Sequence, residues 1–144
     1  MPMLRNSTIV VLSLAAVASA YAQKPTVSGG PLRFEQAVFD VQSYDVSLNV
    51  DTAAKSIAGT TVMTAKTVIP TNVILLDLDT PFAVSKVADG EGRALRFERG
   101  IDTIRIWFPQ SKQVGDEIKT SITYAGMPKV APNAPWTGGF VWAK

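Results

Sequence analysis

In YDVSLNV, Tyr44, Val46, Leu48 and Val50 alternate with Asp45, Ser47 and Asn49. Successive side chains of a strand point to opposite faces, so this spacing predicts a strand with one apolar face. A turn at DTAAK leads into SIAGTTVMTAKTV, rich in Thr and Val, and the two segments are expected to pair as a hairpin. Gly59 inside the second segment predicts a bulge or a close backbone approach. Beyond Pro70, Val73 to Leu76 is apolar without a break, as in a strand covered on both faces, and Pro70 and Pro81 leave a helix too little room. FAVSKVAD, a hairpin turn at GEG, RALRFE, a turn at Arg99-Gly100 and DTIRIWF follow. Ile104, Ile106 and Phe108 share a face of the last, which Pro109 is expected to close. After QSKQVGD, the segment EIKTSITY alternates again, with Ile118, Thr120, Ile122 and Tyr124 on one side.

No helical period of 3.6 residues runs through any helix-length window between Phe39 and Tyr124. Short strands separated by Gly, Pro and Asp turns predict an all-β fold, an antiparallel β-sandwich, with a closed barrel as the alternative. The chain divides on this reading into residues 1–22, 23–38 and 39–144. The first part has a basic start at Arg5, an apolar run from Ile9 to Val17 and the A-x-A site Ala20-Tyr21-Ala22, which makes it a cleavable signal peptide. Its apolar run is well short of the roughly 20 residues that span a bilayer. Asn6-Ser7-Thr8 fits a glycosylation site but falls within the part to be removed. Residues 23–38 read as a flexible leader, mixed in Pro, Gly, Lys and Ser. An exported protein, periplasmic or secreted, is the expectation, with no membrane association after cleavage.

The 144 residues carry a formal net charge of +2, which falls by one when Arg5 is lost. Basic residues are scattered, so nucleic acid is not an expected partner. With no cysteine, no disulfide framework supports the fold and burial must hold it. With no histidine either, Ser-His-Asp and Cys-His catalysis are excluded and catalytic zinc has no suitable ligand set. No G-x-x-x-x-G-K-[ST] or G-x-G-x-x-G loop occurs. Among the carboxylates, Asp77 and Asp79 have the spacing of a paired acid or calcium ligands, and Asp89 and Glu91 lie in a turn where a cation could bind. Solvated strand ends and an ordinary hairpin turn explain both pairs more simply, and Asp116 and Glu117 open a strand. Trp107, Trp136 and Trp142 suggest either an aromatic platform or packing, and packing is the more frequent use. No catalytic, cofactor-binding or metal-binding residue is assigned.

Three segments in order resemble the N-terminal domain of the aminopeptidase N-like zinc metallopeptidases, peptidase family M1. They are YDVSLNVDTAAKSIAGTTVMTAKT, with its Tyr start and internal Gly; VILLDLDTPFAVSKVADGEG, with a Leu-Asp signature; and TIRIWFPQSKQVGDEIKTSITYAGMP, with a Gly-Asp turn and a Tyr-x-Gly-x-Pro exit. The resemblance implies a saddle-shaped sandwich that docks onto a thermolysin-like catalytic domain and helps wall off the substrate's N-terminal end. The family's G-x-M-E-N and H-E-x-x-H motifs do not occur here, so zinc is expected only in a missing or separately encoded catalytic domain and this chain is expected to be inactive alone. The run APNAPWTGGFVWAK, with Trp136, Phe140 and Trp142, is expected to lie at the crossing toward that domain, in a protein cut short. A stand-alone secreted module binding peptide, glycan or protein is the other reading.

Overall fold

The computed structural model describes residues 32–134 and 136–142. The expected signal peptide, the Asn6 motif and the expected leader up to residue 31 lie outside the described residues. Seven strands follow one helical turn: α1 (Phe34–Ala37), β1 (Phe39–Asp51), β2 (Ser56–Thr67), β3 (Thr71–Asp77), β4 (Phe82–Asp89), β5 (Arg96–Gly100), β6 (Thr103–Lys112) and β7 (Glu117–Gly126). They form two separate sheets, β1-β2-β7-β4 and β3-β6-β5, with every strand pair antiparallel. The all-β expectation holds, and two sheets around one core replace the closed-barrel alternative.

The predicted hairpin of β1 and β2 is present, with Asp51 opposite Ser56 and the turn closed by the Ala54 N–H donating to Asp51 Oδ1 at 2.8 Å. Gly59 lies in regular register opposite Leu48, so no bulge occurs there. It is a close approach instead: a Cβ at Gly59 would collide with the Ser47 carbonyl and with Leu48 Cδ2 at 2.5 Å. The bulge falls earlier, between Val41 and Ser43. One extra residue shifts the alternation, so Phe39 and Val41 before it and Tyr44, Val46, Leu48 and Val50 after it share the core-side face.

The core draws on both sheets: Met63, Ala65, Val87, Ile118 and Ile122 from one, Ile74, Leu76, Ile104, Ile106 and Phe108 from the other. Ile104, Ile106 and Ile118 are fully buried, as their alternation predicts. Burying such side chains contributes about 1.5–3 kcal/mol each, which a fold without disulfides depends on. Leu75 on β3 points away from this core yet is only 2% exposed. Its register partner Arg105 pairs with Glu35 of α1 at 3.3 Å, so α1 supplies the second cover that the unbroken apolar run anticipates.

Four details depart from the sequence reading. The chain joins the fold before Phe39: α1 is ordered by Arg33 N–H donating to Gln36 Oε1 at 3.1 Å, and Val38 is fully buried. β6 runs through Pro109 to Lys112 rather than ending at the proline. Neither neighbouring strand pairs with Phe108 to Ser111, so the missing N–H of Pro109 breaks no ladder. The GEG turn closes only a bridge between Ala88 and Ala94, after which the chain crosses to the other sheet, so β4 and β5 are not a hairpin. The turn after β5 lies at Ile101-Asp102, two residues beyond Arg99-Gly100, with Asp102 at φ 52°.

Candidate docking face

Four strands lie opposite three, and β1 is the outermost of the four. Its core-side residues stand in register with β2: Tyr44 opposite Met63, Val46 opposite Thr61, Leu48 opposite Gly59, Val50 opposite Ile57. Met63 is fully buried, whereas Tyr44, Val46, Leu48 and Val50 are 56%, 51%, 46% and 49% exposed. The alternation in YDVSLNV therefore predicts the face correctly, but not its burial. The three-stranded sheet does not reach over β1, so an apolar row continues from the core into solvent. Contiguous exposed apolar surface of this kind marks an interaction site more often than isolated exposed residues do.

At the inner end of this row lies a groove of about 440 Å³, walled by Tyr44, Tyr124, Phe39 and Leu78, with Gln36, Thr61 and Asp77 among its polar members. The Tyr124 hydroxyl is held at 3.0 Å from Thr61 Oγ1, and the Tyr124 ring packs edge-on to Phe82. Partial desolvation in the groove and, second, the charge of Asp77 push the pKa of Tyr44 above the ordinary tyrosine value. Strands β1 and β7 of one sheet and β3 of the other thus bring together Tyr44, Tyr124 and Asp77, residues that lie far apart in sequence.

Of the carboxylate pairs singled out by spacing, Asp77 and Asp79 go to separate partners, while Asp89 and Glu91 share one arginine. Asp77 accepts from Gln36 Nε2 at 2.9 Å. Asp79 accepts from the neighbouring Thr80 N–H at 3.0 Å, and its carbonyl takes a guanidinium N–H of Arg99 at 3.0 Å. Thr80 in turn donates from its N–H and its hydroxyl to Asp102, at 2.9 and 2.6 Å. These two Thr80 bonds lead the causes that hold the Asp102 carboxyl below its usual range. Together they strap the β3–β4 crossing to the β5–β6 turn. Asp89 and Glu91 both engage Arg93, at 2.7 and 2.8 Å, and the Asp89 carboxylate also takes the N–H groups of Glu91 and Arg93. The Arg93 side chain is the main reason Asp89 titrates below the ordinary aspartate value. Asp116 closes its own turn by accepting from the Gln113 N–H at 2.8 Å, and Glu117 opens β7 as expected. Among the described residues no group of three His, Cys, Asp or Glu side chains could hold a metal ion.

The three tryptophans have separate surroundings. Trp107 lies on β6 beneath the Arg96 guanidinium, 4.3 Å from the ring centre. Trp142 stacks on Phe140 at 5.7 Å, within a segment closed by Ala131 N–H donating to Phe140 O and Phe140 N–H donating to Lys129 O. Trp136 is 83% exposed. No helix of the described residues is long and apolar enough to cross a membrane.

No protein-family model and no curated protein matches the chain. Solved structures do. An M1 zinc metallopeptidase from Deinococcus radiodurans matches with a TM-score of 0.61 and 25% identity over 71% of this chain and 23% of its own. A mutant of the M1 zinc metallopeptidase from Deinococcus radiodurans, bound to a Tyr-Ser-Ala substrate, matches with a TM-score of 0.63 and 24% identity over 74% of this chain and 24% of its own. A two-domain M1 zinc metallopeptidase mutant bound to L-arginine gives 0.60 and 24% over 69% and 23%. The chain has the fold of a part of these M1 zinc metallopeptidases, as the three quoted segments indicate, and it spans about a quarter of their length.

Proposed function

We propose that the chain is the non-catalytic N-terminal β-sandwich domain of an exported zinc aminopeptidase-like protein, and that the open face of β1 docks against a catalytic domain and helps to shape its substrate cleft. The observation that carries this reading is the apolar row from Tyr44 to Val50, continuous with the core and half exposed. The neighbours support it, since in them the matching region is only part of a larger peptidase chain. The residues present do not fit a zinc centre: the chain has no histidine or cysteine, and no acidic cluster takes their place among the described residues. Zinc chemistry therefore belongs to the partner domain, whether that is carried on a longer form of this chain or encoded separately.

The test begins with the genomic DNA that follows the Lys144 codon and flanks the gene, read for an H-E-x-x-H segment. The encoded catalytic domain, expressed with and without this chain, is then assayed on an amino-acid p-nitroanilide. Co-migration on a sizing column and an increased kcat/KM with the chain present are expected. A catalytic domain that neither binds the chain nor changes its activity sinks the reading. The exposed Trp136 favours one second reading, a stand-alone secreted module for peptide, glycan or protein. Tryptophan emission that shifts on adding a candidate ligand supports that reading; emission unchanged with all of them counts against it.

A further inference from the structure

Beyond covering an apolar face, the geometry points to strand capture: we propose that β1 accepts an added β-strand along its free edge, and that this strand alternates apolar with cationic side chains. β1 is an edge of its sheet, with β2 on one side and no described strand on the other. Past the bulge at Gln42, residues 44–51 pair with β2 without interruption and contain neither proline nor a basic residue. Those are the devices that normally blunt an exposed edge. The other edge, β4, carries a lysine, Lys86, and a bulge beside it in mid-strand between Val84 and Lys86, whereas the bulge of β1 lies before residue 44. Of the two edges, β1 is the one left able to pair.

The two rows of β1 specify what pairs with it. The core-side row is Tyr44, Val46, Leu48 and Val50, half exposed, so the incoming strand covers it with apolar side chains. The outward row is Asp45, Ser47, Asn49 and Asp51. On β2, Asp45 faces Val62 and Asp51 faces Ser56, whereas the earlier Asp40 faces Lys66. Asp45 and Asp51 thus lack a cation across the existing pair, and Lys or Arg on the new strand supplies one. A second copy of this chain fits less well. Antiparallel pairing that sets Tyr44 opposite Val50 places Asp45 diagonal to the other copy's Asp51, about 7–8 Å away, with no cation contributed by either β1.

The probe is an acetylated, amidated heptapeptide of alternating lysine and valine, titrated into the full chain at low salt. Binding is expected to slow amide exchange in β1 rather than β4 and to weaken as salt is added. The double substitution Asp45→Asn, Asp51→Asn is expected to reduce affinity by about two- to tenfold, in line with exposed ion pairs. Val46→Lys, at a half-exposed position, sets a charge in the apolar row and is expected to abolish capture; an unchanged melting curve keeps that outcome informative. Equal binding of a peptide of the same composition with its lysines and valines in separate blocks, equal binding of a glutamate-valine peptide, or protection on β4 overturns the proposal. So does a chain that dimerises through β1 at the working concentration. Because the probe contains no catalytic domain, failure here leaves the docking reading standing, and failure of docking leaves strand capture standing.

Discussion

Replacing Gly126 by Ala tests the idea that the Tyr-x-Gly-x-Pro exit is a packing requirement. Gly126 ends β7 between two neighbours, opposite Ile57 on β2 and Phe82 on β4. A Cβ there would fall on the Pro81 carbonyl oxygen, 3.0 Å from the Pro81 carbonyl carbon and 3.1 Å from Phe82 Cα. All three are backbone atoms, so no rotamer change relieves the clash. The strand start is also pinned, because the Phe82 N–H donates to Asp79 O at 3.1 Å and Arg99 holds the Leu78 and Asp79 carbonyls. Overpacking of this kind costs about 1–3 kcal/mol. The reduced freedom of the unfolded Ala chain returns about 0.4–1 kcal/mol, leaving a net loss of up to roughly 2.6 kcal/mol and about 1.3 kcal/mol at mid-range. For a domain of this size the mid-range loss lowers Tm by roughly 5–10 °C, read by circular dichroism and confirmed by a urea midpoint. Gly138→Ala is the control, since nothing lies within 4 Å of its added Cβ. If both variants melt within about 1 °C of the parent, the packing account of Gly126 is wrong.

The other predictions separate covered from uncovered positions. Ile104→Ala, at a fully buried site, is expected to lose about 2–5 kcal/mol, whereas Val46→Ser with Leu48→Ser, on the half-exposed row, loses well under half as much; equal urea midpoints would show that β1 is not open. Thr120 is fully buried with no partner for its hydroxyl among the described residues, so Thr120→Val is expected to be neutral or to raise Tm, and a clear loss of stability would reveal a hidden bond. Because the folded pKa of Asp89 is depressed, its stabilising contribution is complete above the unfolded aspartate value of about 3.9 and disappears as pH falls through the lower folded value. A carboxyl NMR titration should place Asp89 below that reference and Arg93→Ala should move it upward; no movement would mean that the Arg93 contact is not the main cause.

Alternation and turn residues were sufficient for much of the architecture, because both act over a few neighbouring residues. They identify the β1–β2 hairpin, the core face of β6 in Ile104, Ile106 and Phe108, and that of β7 in Ile118 to Tyr124. The absence of His and Cys likewise excludes whole classes of chemistry without reference to any fold. Spacing did less well with sites: Asp77 and Asp79 are two residues apart, yet one answers Gln36 of α1 and the other belongs to the strap around Thr80 and Arg99.

What lay beyond the sequence was every property that depends on which element stands opposite which. Sheet membership of β4 and β5, the tolerance of Pro109 within β6 and the burial of Val38 all follow from partners distant in the chain. The clearest case is β1. Its sequence determines that Tyr44, Val46, Leu48 and Val50 share one face, since the pleat has a period of two. Whether that face is core or open surface was settled only by the packing of three strands against four, which leaves the outermost strand beyond the cover of the three-stranded sheet.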